Sequence, residues 1–201
     1  APVPLVFAAR NVASTSFVSL AVGAYALNLP HEFVVGYESN RATRLAALRG
    51  EVDVVSMDLS SGLKRIERQE LRPLMQISER GYGHASVSPD LPTLLQKAKN
   101  RIDPHRLRIA QTLLKLLGSN RLFVAPADLP TPISICLQNA LAQTLTSPSV
   151  VQALESRAAP IDYAPRAQAV SDLHAVYAAL PELAPIVAAA ADRLRRGTDG
   201  Q

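Results

Sequence analysis

The stretch Phe33–Asp58, FVVGYESNRATRLAALRGEVDVVSMD, decides how this chain is read. It predicts a strand, a polar turn, a short helix, a glycine turn and a second strand. That is one complete βαβ unit near the minimum length a crossover allows. A parallel pair sets the C-terminal ends of both strands on one sheet edge, where open α/β sheets bind small ligands. Polar residues gather at both exits: Tyr37, Glu38, Ser39 and Asn40 after the first strand, and Asp58, Ser60 and Ser61 after the second.

Working outward, the preceding residues repeat the pattern. Leu5–Ala8 predicts a buried strand. A polar loop from Ala9 to Ala13 follows, and Ser14, Thr15 and Ser16 offer helix caps before Phe17, Leu20, Ala21 and Ala24 recur at helical spacing. Pro30 ends that helix. Further strands are expected at Phe33–Gly36 and Val52–Ser56, with Gly50 in the left-handed cap position of the helix between them. A helix is expected at Ser60–Arg68, then a fourth strand at Leu71–Ser78, bent or at an edge because of Pro73. After the glycine- and proline-marked loop Glu79–Pro92 the chain turns helical. Helices are expected at Leu94–Asn100, Pro104–Leu117, Thr131–Leu145, Ser149–Ser156, Arg166–Ala179 and Pro185–Arg195. Asp103 is read as a cap, Pro104 and Pro165 as first helical residues, and Arg121–Ala125 as a strand-like interruption. The expected fold class is α/β, with an α/β lobe over 1–78 and a hinge return with a helix-rich remainder over 79–201.

The 201 residues are 48% hydrophobic and 19% charged, which marks a globular chain. The net charge of +4 is mild. Basic residues are scattered apart from Arg193, Arg195 and Arg196 in a last helical turn, so no nucleic-acid partner is expected. One cysteine, Cys136, excludes an intrachain disulfide and is expected to be a buried thiol among Ile133, Ile135 and Leu137. No run approaches the ~20 apolar residues of a membrane span, so the chain is not expected to cross a membrane. Its opening residues are not expected to be a signal peptide. It begins abruptly at a strand-like segment, as a processed form or a fragment would.

If the crossovers take the usual hand, the exits at 9–14, 37–41 and 57–61 line one edge. That edge offers a cation (Arg10), hydroxyls (Ser14, Thr15, Ser16, Ser39, Ser60), an amide (Asn40) and helix N-termini. Free N–H groups at a helix start favour anions, and a guanidinium adds a charge-assisted bond. Other chemistry is poorly supported. His31, His84, His105 and His174 lack metal-ligand spacing, and no nucleophile elbow, P-loop or dinucleotide fingerprint is present. Gly81-Tyr82-Gly83 does not open a helix. Asp53 lies inside a strand, five residues from Asp58 and so on the opposite face; it is read as a partner of backbone rather than half of an acid–base pair. No catalysis, metal or cofactor is expected.

Several segments in order resemble the Bug-type extracytoplasmic solute receptors of tripartite tricarboxylate transporters. They are Leu5-Val6-Phe7 with the loop to Ser16; Gly36-Tyr37 followed by Arg49-Gly50-Glu51-Val52-Asp53; Leu71-Arg72-Pro73-Leu74; Pro89-Asp90-Leu91-Pro92-Thr93; and Phe123-Val124-Ala125-Pro126 with Pro130. The resemblance implies a type II periplasmic-binding-protein fold whose two lobes close on a small organic carboxylate, periplasmic and serving a membrane permease or sensor. It places Ser14, Thr15 and Ser16 at the ligand, with Tyr37, Ser39, Asn40 and Asp58 in support. This chain departs from the family in lacking about a further third before Leu5, including a glycine-rich loop of the first lobe. It also carries Ala9, Arg10 and Ala13 where the family has loop glycines, and Glu38-Ser39 where it has Pro-Gly. Two other functions fit the sequence: the ligand-sensing effector domain of a transcription regulator, and a non-binding module whose helical half mediates assembly.

Overall fold

A computed structural model describes residues 3–77, 90–98, 102–118, 122–157, 161 and 163–194. The sheet has three parallel strands, β1 (Leu5–Ala8), β2 (His31–Val34) and β3 (Val54–Val55), in the order β2-β1-β3. Phe7 pairs with Phe33 on one side and with Val54 on the other. The chain leaves β1 for one neighbour and crosses back for the other, so α1 (Thr15–Ala26) and α2 (Asn40–Leu48) cover opposite faces. Strand alternation supplies both faces. Phe7 packs with Phe17, Ala21 and Phe33 beneath α1, whereas Val6 and Ala8 pack with Ala46 and Val52 beneath α2. Phe17 and Phe33 are fully buried, with ring centroids 4.3 Å apart.

The first three helices end alike. After α2, Gly50 N–H donates to Ala47 and Glu51 N–H to Ala46, with Gly50 at φ 73°. This is a Schellman cap, in which a left-handed residue lets the chain turn back on the last carbonyls. Asn28 (φ 55°) does the same after α1, and Gln69 (φ 57°) after α3 (Leu59–Glu67). The expected left-handed glycine is therefore in place, with two non-glycine residues in the same role.

The helical half adds α4 (Leu91–Ala98), α5 (Pro104–Gly118), α6 (Thr131–Leu145), α7 (Pro148–Glu155) and α8 (Arg166–Ala191). Ile109, Leu113, Leu183 and Ile186 join Val22 and Ala26 in one core, so α5 and α8 pack on α1. Tyr25 is a polar peg in that packing. Its hydroxyl lies 3.2 Å from His105 Nδ1, its carbonyl accepts from Arg106, and the Arg106 guanidinium stacks 4.5 Å above its ring. Asp103 caps α5 as expected, accepting from His105 and Arg106 N–H. The segment 122–157 differs, because neither α6 nor α7 buries a residue.

Several expectations are corrected. Residues 71–77 form no strand beyond a single bridge between Gln76 and Asp90, because Pro73 lacks a donor and no strand among the described residues lies alongside; Ser78 lies outside the described residues. Residues 122–125 form no strand either: Phe123 is 70% and Val124 85% exposed, with no strand among the described residues to take their bonds, and Arg121 lies outside those residues. β2 begins at His31, two residues early, because Leu5 N–H already pairs with the Pro30 carbonyl. Helix α4 starts at Leu91 rather than Leu94, since Asp90 caps it and Pro92 is tolerated in a first turn. Pro165 is the cap of α8, not its first residue. Cys136 is exposed because α6 lacks a buried face.

The two helices expected in the last part are one. Helix α8 runs through Pro181 and Pro185. Each proline removes a bond to the carbonyl four residues back, but both are exposed, so water meets the freed carbonyls while Leu183, Ile186 and Ala190 hold the opposite face. Thus α8 is long and apolar enough, by length and composition, to cross a membrane, with 17% of its apolar window buried. The apolar run is longer than the sequence reading allowed.

Candidate functional site

All three strands exit at one edge, and there a cleft of about 860 Å³ opens. Strands β1 and β3 form its floor, α1 one wall and α3 the other, and residues 71–77 close its far end. Six of the anticipated residues line it: Arg10, Ser14, Thr15, Ser16, Asn40 and Asp58.

The loop after β1 is shaped by its own hydrogen bonds. Asn11 Oδ1 accepts from Ala13 N–H, and the Asn11 carbonyl accepts from Ser14 N–H and from its hydroxyl. That turn presents Ser14 as the cap of α1, with its Oγ accepting from Phe17 N–H at 3.3 Å. The Ser16 hydroxyl lies 3.1 Å from Ser14 Oγ. Thr15 and Ser16 N–H have no acceptor among the described residues and stand open at the positive end of α1. Arg10 carries its main-chain bond to Gly36 N–H through its carbonyl. Its guanidinium is exposed at the cleft mouth, and no carboxylate pairs with it among the described residues.

The exit of β3 is built differently. Asp58 occupies the cap position of α3, yet its carboxylate caps nothing; its carbonyl instead accepts from Gly62 N–H at 2.9 Å. Among the described residues nothing engages the carboxylate, and Asp58 lines the same cleft as Arg10. Asp53 behaves as read from the sequence: its side chain bonds to the backbone of Val6.

Two anticipated residues do not reach the cleft. Tyr37 folds back onto the face beneath α2, against Val6, Ala8, Ala46 and Val52. Burial, and then the nearby Glu51 charge, raise its phenol above the ordinary value. Ser39 is consumed as the cap of α2, accepting from Ala42 N–H. His84 and the Gly81–Gly83 turn lie outside the described residues.

Sequence reasoning missed the cleft's apolar wall. Helix α3 contributes Leu59, Gly62, Leu63 and Ile66 to the cleft lining and buries no residue fully, and Leu20 of α1 lines the same cleft. The spacing of Leu59, Leu63 and Ile66 is a helical stripe that was legible. Arg72, also lining the cleft, is exposed and has no ion-pair partner among the described residues.

No protein-family model matches this chain, and no curated protein matches it. Among solved structures it is similar to R. palustris Rpa4515 with adipate, at 17% identity and a TM-score of 0.62. The match covers 93% of this chain and 57% of that one, so this chain spans little more than half the length of its structural neighbour. At that identity the likeness is one of fold. A helix-rich α/β chain with a parallel sheet is consistent with the periplasmic-binding-like architecture expected from sequence.

Proposed function

We propose that this chain is the ligand-gripping part of a solute receptor for a small organic carboxylate. The observation that carries the reading is that the Arg10 guanidinium, without an ion-pair partner among the described residues, lines the same cleft on the C-terminal sheet edge as the open N–H groups of Thr15 and Ser16. A cation and oriented amide donors at such an edge suit a carboxylate. The similarity in fold to a protein solved with adipate supports the same ligand class.

The finer reading follows the resemblance in sequence. The receptor belongs with the tricarboxylate-transporter type, has the type II two-lobed fold and works in the periplasm. It hands its ligand to a membrane permease or sensor without catalysing a reaction. Residues 1–78 are its ligand-binding lobe, and 79–201 are the hinge return and a helix-rich remainder, of which α5 and α8 pack back on α1. Helix α8 is a packing helix of this body rather than a span, because Val176, Leu183, Ile186 and Ala190 form a stripe against the core at helical spacing.

Calorimetric titration of the full-length protein with adipate, citrate, glutarate and benzoate tests the proposal. Saturable heat with at least one of them, lost in Arg10→Ala, is expected. No heat from any carboxylate in a folded protein overturns it.

A further inference from the structure

Arg10 and Asp58 leave neighbouring strands at the same edge. Ala8 of β1 is paired in register with Val55 of β3, and adjacent strands lie about 4.8 Å apart. Arg10 follows two residues after the first and Asp58 three after the second, and both line the one cleft. They do not pair with each other. Asp58 does not cap its helix either. A lone carboxylate beside an anion site weakens binding of a simple acid, because like charges repel. The same carboxylate strengthens binding of a ligand that carries a cation next to its own carboxylate.

The apolar wall adds a third requirement. Leu63 and Ile66 of α3 line the cleft together with Leu20 of α1, and all three keep part of their surface exposed. An aliphatic group placed there would cover surface that nothing else among the described residues covers.

We infer that the cleft takes an aliphatic α-amino acid, its carboxylate on Arg10 and the α1 amides, its ammonium on Asp58, and its side chain between Leu20 and Leu63. This rests on the carboxylate-receptor reading and narrows it. The carboxylate contact is shared with any organic acid, whereas the ammonium contact is specific to Asp58.

The experiment compares leucine with 4-methylpentanoate, which keeps the carbon skeleton and carboxylate but lacks the amino group, and with adipate, by calorimetric titration of the full-length protein. Leucine should bind about tenfold or more tighter than 4-methylpentanoate, the value of a charge-assisted contact. Asp58→Asn should remove most of that difference while leaving 4-methylpentanoate bound at least as well as before. Leu63→Ser, on a helix that buries no residue, should weaken leucine several-fold and leave glycine unchanged. Equal affinity for leucine and 4-methylpentanoate, or an unchanged ratio in Asp58→Asn, overturns the inference but leaves the carboxylate receptor standing. Binding of none of the three, in protein shown folded by circular dichroism, removes both.

Discussion

Asp53 and Val6 hold each other twice: the Asp53 side chain accepts from Val6 N–H at 2.8 Å, and Asp53 N–H donates to the Val6 carbonyl at 2.8 Å. The carboxylate thereby extends the β1–β3 ladder one step beyond the short strand β3. Replacing it by alanine leaves Val6 N–H without its partner. Asp53→Ala should cost about 1–2 kcal/mol, and Asp53→Asn, which keeps an acceptor of the same shape, clearly less. Urea unfolding of the two variants measures the difference; equal losses would show that the bond to Val6 is unimportant.

Ser14 separates stability from binding. Its hydroxyl caps α1, so Ser14→Ala should lower stability by about 1 kcal/mol. Ser14→Asp keeps the cap and adds a favourable charge at the helix start, so the fold should hold. The same charge sits where the ligand carboxylate is proposed to lie, so carboxylate affinity should fall by about tenfold or more. Thermal unfolding and titration of both variants provide the check. An Asp variant that binds normally places the anion elsewhere.

Gln69 bears a left-handed conformation that its side chain disfavours. Gln69→Gly relieves that cost at the end of α3 and should stabilise the chain by about 0.5–1 kcal/mol. Gly50→Ala introduces the same cost at the end of α2 and should destabilise by a similar amount. Denaturant midpoints with unchanged slopes would record both shifts in opposite directions.

Asp90 gives the chain an acid-side pH dependence. The Thr93 hydroxyl, and then its backbone N–H, hold the Asp90 carboxyl below the ordinary value. A carboxyl with a lowered folded-state value contributes stability that is fully present above the unfolded value, about 3.9, and is lost as pH falls through the folded one. Stability should therefore decline below about pH 4, and Asp90→Asn should flatten part of that decline. Midpoints measured between neutral and acid pH test it, with the contribution small because Asp90 is largely exposed.

How far the sequence could be read depended on whether local chemistry sufficed. Leu5–Ala8, the cap at Ser14, the turn at Gly50 and the cap at Asp103 are set within a few residues, and each appears where patterning placed it. Residues 71–77 looked like a strand because apolar content cannot say whether a strand lies alongside, and among the described residues only the single bridge from Gln76 to Asp90 forms. Pro181 and Pro185 looked like a break because only packing shows that both sit on the exposed side of α8. At the cleft, the polar mouth was legible as three loops following three strands, and six of eight named residues reach it. Tyr37 was misplaced because it lies in the loop beyond β2, where strand alternation no longer fixes its direction, and here α2 offered it a buried surface. Ser39 was misplaced because a cap uses the same hydroxyl a ligand would need.

The strand order also governs how this chain is made. Of the three strands β1 is synthesised before the others and stands in the middle of the sheet, yet its bond with Asp53 joins residues 47 positions apart. A nascent chain emerging from the ribosome can dock β2 against β1 early, but the second flank of β1 stays open until β3 has emerged. During that interval one edge of Leu5–Ala8 is unpaired, and the chain is then most exposed to strand-mediated self-association.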